Sequence, residues 1–119
     1  MIQNFTDLVV WQRAIALGKE VYRLTARFPR SEQFGLTLQI RRAAVSVSSN
    51  IAEGHARQGR EFPHFLSIAR GSSAEVHSQL LFAAELGYVT HEEITVAVGM
   101  AEEIRKMSAV LARKLQASQ

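Results

Sequence analysis

The chain has 119 residues, 47% hydrophobic and 21% charged, with a formal net charge of +3 and no cysteine. That length suits one domain with an apolar core, and the missing cysteines exclude disulfides, thiolate metal sites and cysteine nucleophiles. No apolar run approaches the ~20 residues of a membrane span, and no basic segment precedes an apolar one at Met1-Ile2-Gln3-Asn4-Phe5, so a cytoplasmic protein without membrane association is expected.

The charge is unevenly spread. Residues 1–70 hold ten Lys/Arg and five Asp/Glu, residues 71–104 hold six Glu and no Lys/Arg, and residues 105–119 hold four Lys/Arg and no acid. With a sequence pI near 9.8, this pattern fits either a face that binds polyanions or oppositely charged faces that meet between subunits. A mixed, solvated surface accounts for it equally well.

The first predicted helix spans 6–28. Asn4 and Asp7 form a capping-box pattern before it. Val10, Ala14, Leu17, Val21, Leu24 and Phe28 recur at four-three spacing as a core seam, with Trp11, Ile15 and Tyr22 in a second stripe. Pro29 ends it, because the residue before a proline avoids the α region. The second helix is read over 34–57, with the seam Leu36, Ile40, Ala43, Val47, Ile51 and Gly54. Its middle, 43–50, is rich in Ala, Ser and Val, and a strand competes there. The unbroken period on both sides favours helix, and the small side chains suit close approach of a neighbour.

The third helix is read over 60–86, with Phe62, Leu66, Ala69, Ser73, Val76, Leu80, Ala83 and Gly87 on its seam and Pro63 harmless in the first turn. Gly71 is an interior weak point that suggests a tight crossing. The fourth helix is expected from Thr90, where Thr90 and Glu93 form a capping box. Its seam is Ile94, Val98, Ala101, Ile104, Ser108, Leu111 and Leu115, and Ala117, Ser118 and Gln119 are expected to fray. Four amphipathic helices with short connections predict an all-α, up-down-up-down antiparallel four-helix bundle in one domain over 1–119. The apolar second stripe on helix one hints at self-association.

Chemistry-bearing patterns are sparse. A carboxylate-bridged di-metal bundle needs two Glu-x-x-His pairs; Glu61-Phe62-Pro63-His64 is a single match, at a helix start. His55, His64, His77 and His91 lack ligand spacing, and no phosphate loop or nucleophile elbow is present. No cofactor, metal or catalytic residue is assigned. One polar constellation does stand out. Gln39, Ala43, Ser46, Asn50, Glu53 and Arg57 share a face of helix two, and Ser72, Glu75 and Gln79 line a face of helix three flanked by Ile68 and Phe82. Half-buried carboxylates and amides need partners. Asn50, Glu53 and Glu75 are therefore expected to form a structural polar network with Arg41 or Arg42, or a subunit contact. Arg41, Arg42, Arg57, Arg60 and Arg70 are the candidate phosphate-binding residues. No aromatic interleaving accompanies them, so binding would follow the backbone rather than the bases.

These residues also carry a family likeness. The stretches Leu8-Val9-Val10-Trp11-Gln12-Arg13-Ala14, Phe28-Pro29, Phe34-Gly35-Leu36, Gln39-Ile40-Arg41-Arg42-Ala43-Ala44 and Ser49-Asn50-Ile51-Ala52-Glu53-Gly54 resemble the bacterial proteins first noted in intervening sequences of large-subunit ribosomal RNA genes. Glu61-Phe62, Phe65-Leu66, Ala69-Arg70-Gly71-Ser72, Glu75 and Leu86-Gly87-Tyr88 extend the likeness over about residues 5 to 115. The resemblance implies a left-turning four-helix bundle that assembles as a homopentamer. The family is similar to accessory proteins of diversity-generating retroelements, which are basic pentamers that bind nucleic acid and a reverse transcriptase. The leading expectation is thus a non-enzymatic homo-oligomer, pentameric by resemblance, that binds RNA or DNA. The alternative is an adaptor or assembly factor that binds another protein and has no nucleic-acid role.

Overall fold

The structure, a computed structural model, describes residues 4–118. It contains four α-helices: α1 (Val9–Thr25), α2 (Leu36–Arg57), α3 (Glu61–Glu85) and α4 (Thr95–Ala117). α1 and α3 each pack against both α2 and α4, while the diagonal pairs make no backbone approach. The bundle is therefore square, with antiparallel neighbours, as the four apolar seams predict. It measures 47 × 23 × 19 Å.

The seams form most of the core, although Val98, Leu111 and Leu115 of the α4 seam are only half-buried, Ala97 is buried beside them, and Gly87 lies exposed beyond the end of α3. Leu17, Leu24, Ile40, Ile51, Leu66, Leu80, Ile94 and Ile104 are fully buried, each stabilising the fold by roughly 1.5–3 kcal/mol relative to exposure. Residues 43–50 are helical, so tertiary packing of the 3.6-residue seam overrides the strand preference of Val45 and Val47. Ser73, on the α3 seam, is completely buried and its hydroxyl donates to the Ala101 carbonyl at 2.8 Å, tying α3 to α4.

The helix ends depart from the sequence reading in specific ways. Asn4 caps a separate 3-10 turn, Phe5–Asp7, by accepting from the Thr6 N–H at 2.9 Å. Leu8 is then extended, and α1 starts one residue later. Phe5 packs edge-on against Trp11 with ring centroids 5.3 Å apart, which anchors this entry turn. α1 stops at Thr25, short of Phe28, and its exit tightens into 3-10 bonds before Pro29. Glu32 then caps α2, one carboxylate oxygen accepting from the Leu36 N–H at 3.0 Å and the other from the Tyr88 hydroxyl at 2.7 Å. The Thr90–Glu93 bonds form as the capping pattern predicts, at 3.1 and 2.8 Å. They close a turn over 91–94, however, and α4 begins only at Thr95. At its other end α4 stays helical through Ala117, and Ser118 bonds back to Lys114; Gln119 lies outside the described residues.

Two glycines meet demands of different kinds. Gly87 (φ +79) ends α3, with its N–H bonded to Ala84 and the Tyr88 N–H to Ala83, the paired bonds of a Schellman cap. Gly54 lies where α2 and α3 press together: a Cβ there would meet the Phe65 Cβ at 2.9 Å and the Phe62 carbonyl at 3.2 Å. The crossing expected at Gly71 is absent, since nothing lies within 4 Å of a Cβ built there. Gly71 sits on the exposed side of α3, and the close approach falls instead on the small-residue face of α2.

Candidate functional site

The five sequence-predicted arginines do not form one patch. Arg41 is half-buried; its Nε donates to the Thr25 hydroxyl at 2.8 Å and its guanidinium lies 4.4 Å from the Tyr22 ring centroid. It therefore ties α2 to α1. Arg42 is exposed and lines a groove between α2 and α3. Arg57 lies fifteen positions further along the same helix, about 22 Å at 1.5 Å per residue. It bridges Glu53 at 2.8 Å and Glu61 at 3.2 Å, and its guanidinium stacks over Phe65. Glu53, then Glu61, raise its pKa above the ordinary value and hold it firmly charged. This triad braces the α2–α3 turn, where Gln58 and Gly59 both adopt positive φ. Arg60 and Arg70 are exposed and carry no ion pair among the described residues.

Helix register adds two residues that local reading of the sequence missed. The Ser73–Ala101 bond fixes α3 against α4. Counting outward in opposite directions from it sets Arg105 level with Ala69 and Arg70, and Arg113 level with Glu61. Arg60, Arg70, Arg105 and Arg113 therefore gather on the half of the α3–α4 pair nearest the α2–α3 turn. None of the four is ion-paired among the described residues. The available signal was the basic 105–119 segment, whose placement depends on knowing that α4 runs back toward that turn.

The expected polar network splits in two. The Asn50 side-chain amide donates to the Ser46 carbonyl at 2.8 Å and to the Ser46 hydroxyl at 2.9 Å, and that hydroxyl in turn meets the Ser72 hydroxyl at 2.9 Å across the helix pair. Glu53 turns outward to Arg57 instead. Glu75 is exposed in the groove with Gln39, Arg42, Ser46, Ser72 and Gln79, a space of about 310 Å³. The Gln79 side-chain oxygen is buried there without a hydrogen-bond partner. Arg41 cannot close the network because it lies on the α1 side of α2. The groove is flanked by the half-exposed side chains of Ile68 and Phe82.

Among the described residues no group of three or more His, Asp or Glu converges as a metal site would. His64, the histidine of the lone Glu-x-x-His match, packs edge-on against Phe65. The perturbed acids serve the bundle. Glu32 is held below the usual carboxylate range by the Leu36 N–H and then Tyr88, and Glu93 by the Thr90 N–H and then Arg27. Glu20 is held low by Arg23. Tyr88 is pushed up by its bond to Glu32.

Residues 6–109 match the sequence pattern of the 23S rRNA-intervening sequence proteins. The chain belongs to that family. The likeness seen in the Trp11, Arg41–Ala44 and Asn50–Gly54 segments is thereby confirmed over most of the chain. The structure of this 23S rRNA-intervening sequence protein is similar to a crystal structure of a protein of unknown function from the S23 ribosomal protein family of Bacteroides thetaiotaomicron VPI-5482. That similarity has a TM-score of 0.77 at 23% identity, covering 87% of this chain and 98% of the other; at that identity it supports the fold. Neither description names a catalytic activity. No curated protein matches the sequence. No helix among the described residues is long and apolar enough to cross a membrane.

Proposed function

We propose that this family member is a non-enzymatic homo-oligomer, a pentamer by resemblance, that holds the phosphate backbone of RNA or DNA in the cytoplasm. The observation that carries the binding reading is the gathering of Arg60, Arg70, Arg105 and Arg113 on one half of the α3–α4 face, without carboxylate partners. Guanidinium groups on a convex helical surface neutralise phosphates without reading bases, so binding is sequence-tolerant and falls steeply with salt.

Assembly is supported by the α2–α3 groove. A neighbouring subunit would supply partners for the exposed Arg42 and Glu75. It would also cover Ile68 and Phe82. The half-exposed Ile15, Tyr22 and Val45 on the α1–α2 face form a second apolar surface of matching kind. Contact between two different faces is heterologous, and such contacts build a ring when the rotation between subunits closes. A protein-binding adaptor is the second reading. It is favoured by the exposed Leu81, Phe82, Leu86 and Val96, which all lie in the segment that has six Glu and no Lys/Arg.

Light scattering after size exclusion, at low and high salt with the absorbance ratio recorded, tests both halves. The proposal expects a pentamer mass and nucleic acid that salt strips away. Arg60→Ala and Arg113→Ala should each lower the slope of log affinity against log salt by about 1. A monomer would overturn the assembly half, and a nucleic-acid-free pentamer that binds no RNA or DNA at low salt would leave the adaptor reading.

A further inference from the structure

An open groove of about 500 Å³ lies between the start of α1 and the end of α4, whereas the arginines lie on the α3–α4 pair. Leu8, Val9 and Val10 form one wall, and Met107, Val110 and Leu111 the other. The floor is solidly apolar, with Val10 buried and Leu8, Met107 and Leu111 half-buried. Val9 and Val110 are 52% and 42% exposed, an unusual use of β-branched apolar side chains on an otherwise charged helix surface. The groove's remaining lining residues are Lys106 and Lys114. Neither ammonium has a carboxylate partner among the described residues. They are eight residues apart on α4, about 12 Å or two helical turns.

We infer that this groove docks an acidic amphipathic helix of a partner protein. Its occupant is specified by shape and charge together. A trough between two antiparallel helices accepts a third helix through apolar anchors at i, i+3 or i+4, and i+7. Carboxylates two turns apart on that helix would meet Lys106 and Lys114, whose spacing they match. The groove is open along its length rather than closed over, so it suits a helix laid into it more than an enclosed small molecule. The aliphatic stems of both lysines extend the apolar walls while their heads remain in water.

The test uses the full chain and two fluorescent synthetic helices. Both carry leucines at i, i+3, i+4 and i+7; one is flanked by glutamates two turns apart and the other by lysines at the same positions. Anisotropy should show saturable binding of the glutamate peptide, with the lysine peptide weaker by about tenfold, since two exposed ion pairs are gained in one and opposed in the other. The double variant Lys106→Glu/Lys114→Glu should reverse that preference. Val110→Asp should abolish binding of both peptides while leaving the melting temperature and the scattering mass unchanged. Equal affinity for the two peptides, or no saturable binding of either, overturns the inference. So does a loss of oligomer mass in Val110→Asp, which would make the groove a contact between copies. Displacement of the peptide by a short RNA in proportion to its phosphates would assign the lysines to the nucleic-acid face and overturn it as well.

Discussion

Replacing Gly54 with alanine tests the α2–α3 packing that positions everything else. The new Cβ would lie 2.9 Å from the Phe65 Cβ, 3.0 Å from the Phe62 Cδ1 and 3.2 Å from the Phe62 carbonyl oxygen. Carbon pairs rest at about 3.5–4.0 Å, and two of these three atoms are fixed to the α3 backbone. The helices must therefore separate, at a cost of about 1–3 kcal/mol for overpacking. Alanine also gains roughly 1 kcal/mol of helix propensity over glycine, so the net loss in Gly54→Ala is about 1 kcal/mol. Gly71→Ala makes the same chemical change where nothing lies within 4 Å, and should stabilise by about 1 kcal/mol. The difference between the two variants isolates the packing cost. Thermal denaturation at one fixed protein concentration reads it, since association raises the midpoint. About 4 °C per kcal/mol is expected for a chain of this size, with Gly54→Ala melting below wild type and Gly71→Ala above. A Gly54→Ala protein that melts at or above Gly71→Ala would refute the close crossing.

Other substitutions separate structural groups from binding groups. Arg41→Ala should lower the melting temperature, because Arg41 joins α2 to Thr25 and Tyr22, yet leave the salt slope of nucleic-acid binding intact; Arg60→Ala should do the opposite. Ser73→Ala removes a buried bond to the Ala101 carbonyl and should cost about 0.5–1.5 kcal/mol in denaturant titration. Glu93 has a folded pKa below its unfolded one, so its contribution is present above the unfolded pKa and lost as pH falls through the folded value. Glu93→Gln should therefore reduce the acid-side drop in melting temperature below about pH 4. Tyr88 titrates above its ordinary value, so its contribution is full below about pH 10 and lost as pH rises through the raised pKa. Tyr88→Phe should flatten that alkaline loss in a pH series of melting curves.

The four apolar seams were legible because a helix buries a face at a period of 3.6 residues, and that period is written locally. Val10 to Leu24, Leu36 to Gly54 and Phe62 to Ala83 are all buried where their spacing places them. The Pro63 first turn and the Thr90–Glu93 bonds were equally local and equally readable. Where α4 starts was not, because the same two bonds can cap a helix or close a turn. Ile94 is buried behind that turn.

The arrangement of the polar residues belongs to tertiary structure. Arg41, Arg42 and Arg57 share one helix, but rotation and rise along α2 send them to α1, to a groove and to the α2–α3 turn. Arg70 and Arg105 are distant in sequence and are brought level by the packing of α3 on α4, whose register the Ser73–Ala101 bond marks. Gly54 rather than Gly71 marks the close crossing because only the facing helix decides which glycine has a neighbour. Composition and periodicity thus determined the helices, their buried faces and the bundle. Register between helices decided which charges share a surface and where an apolar groove stays open. It depends on contacts between residues far apart in the chain, and no local pattern encodes them.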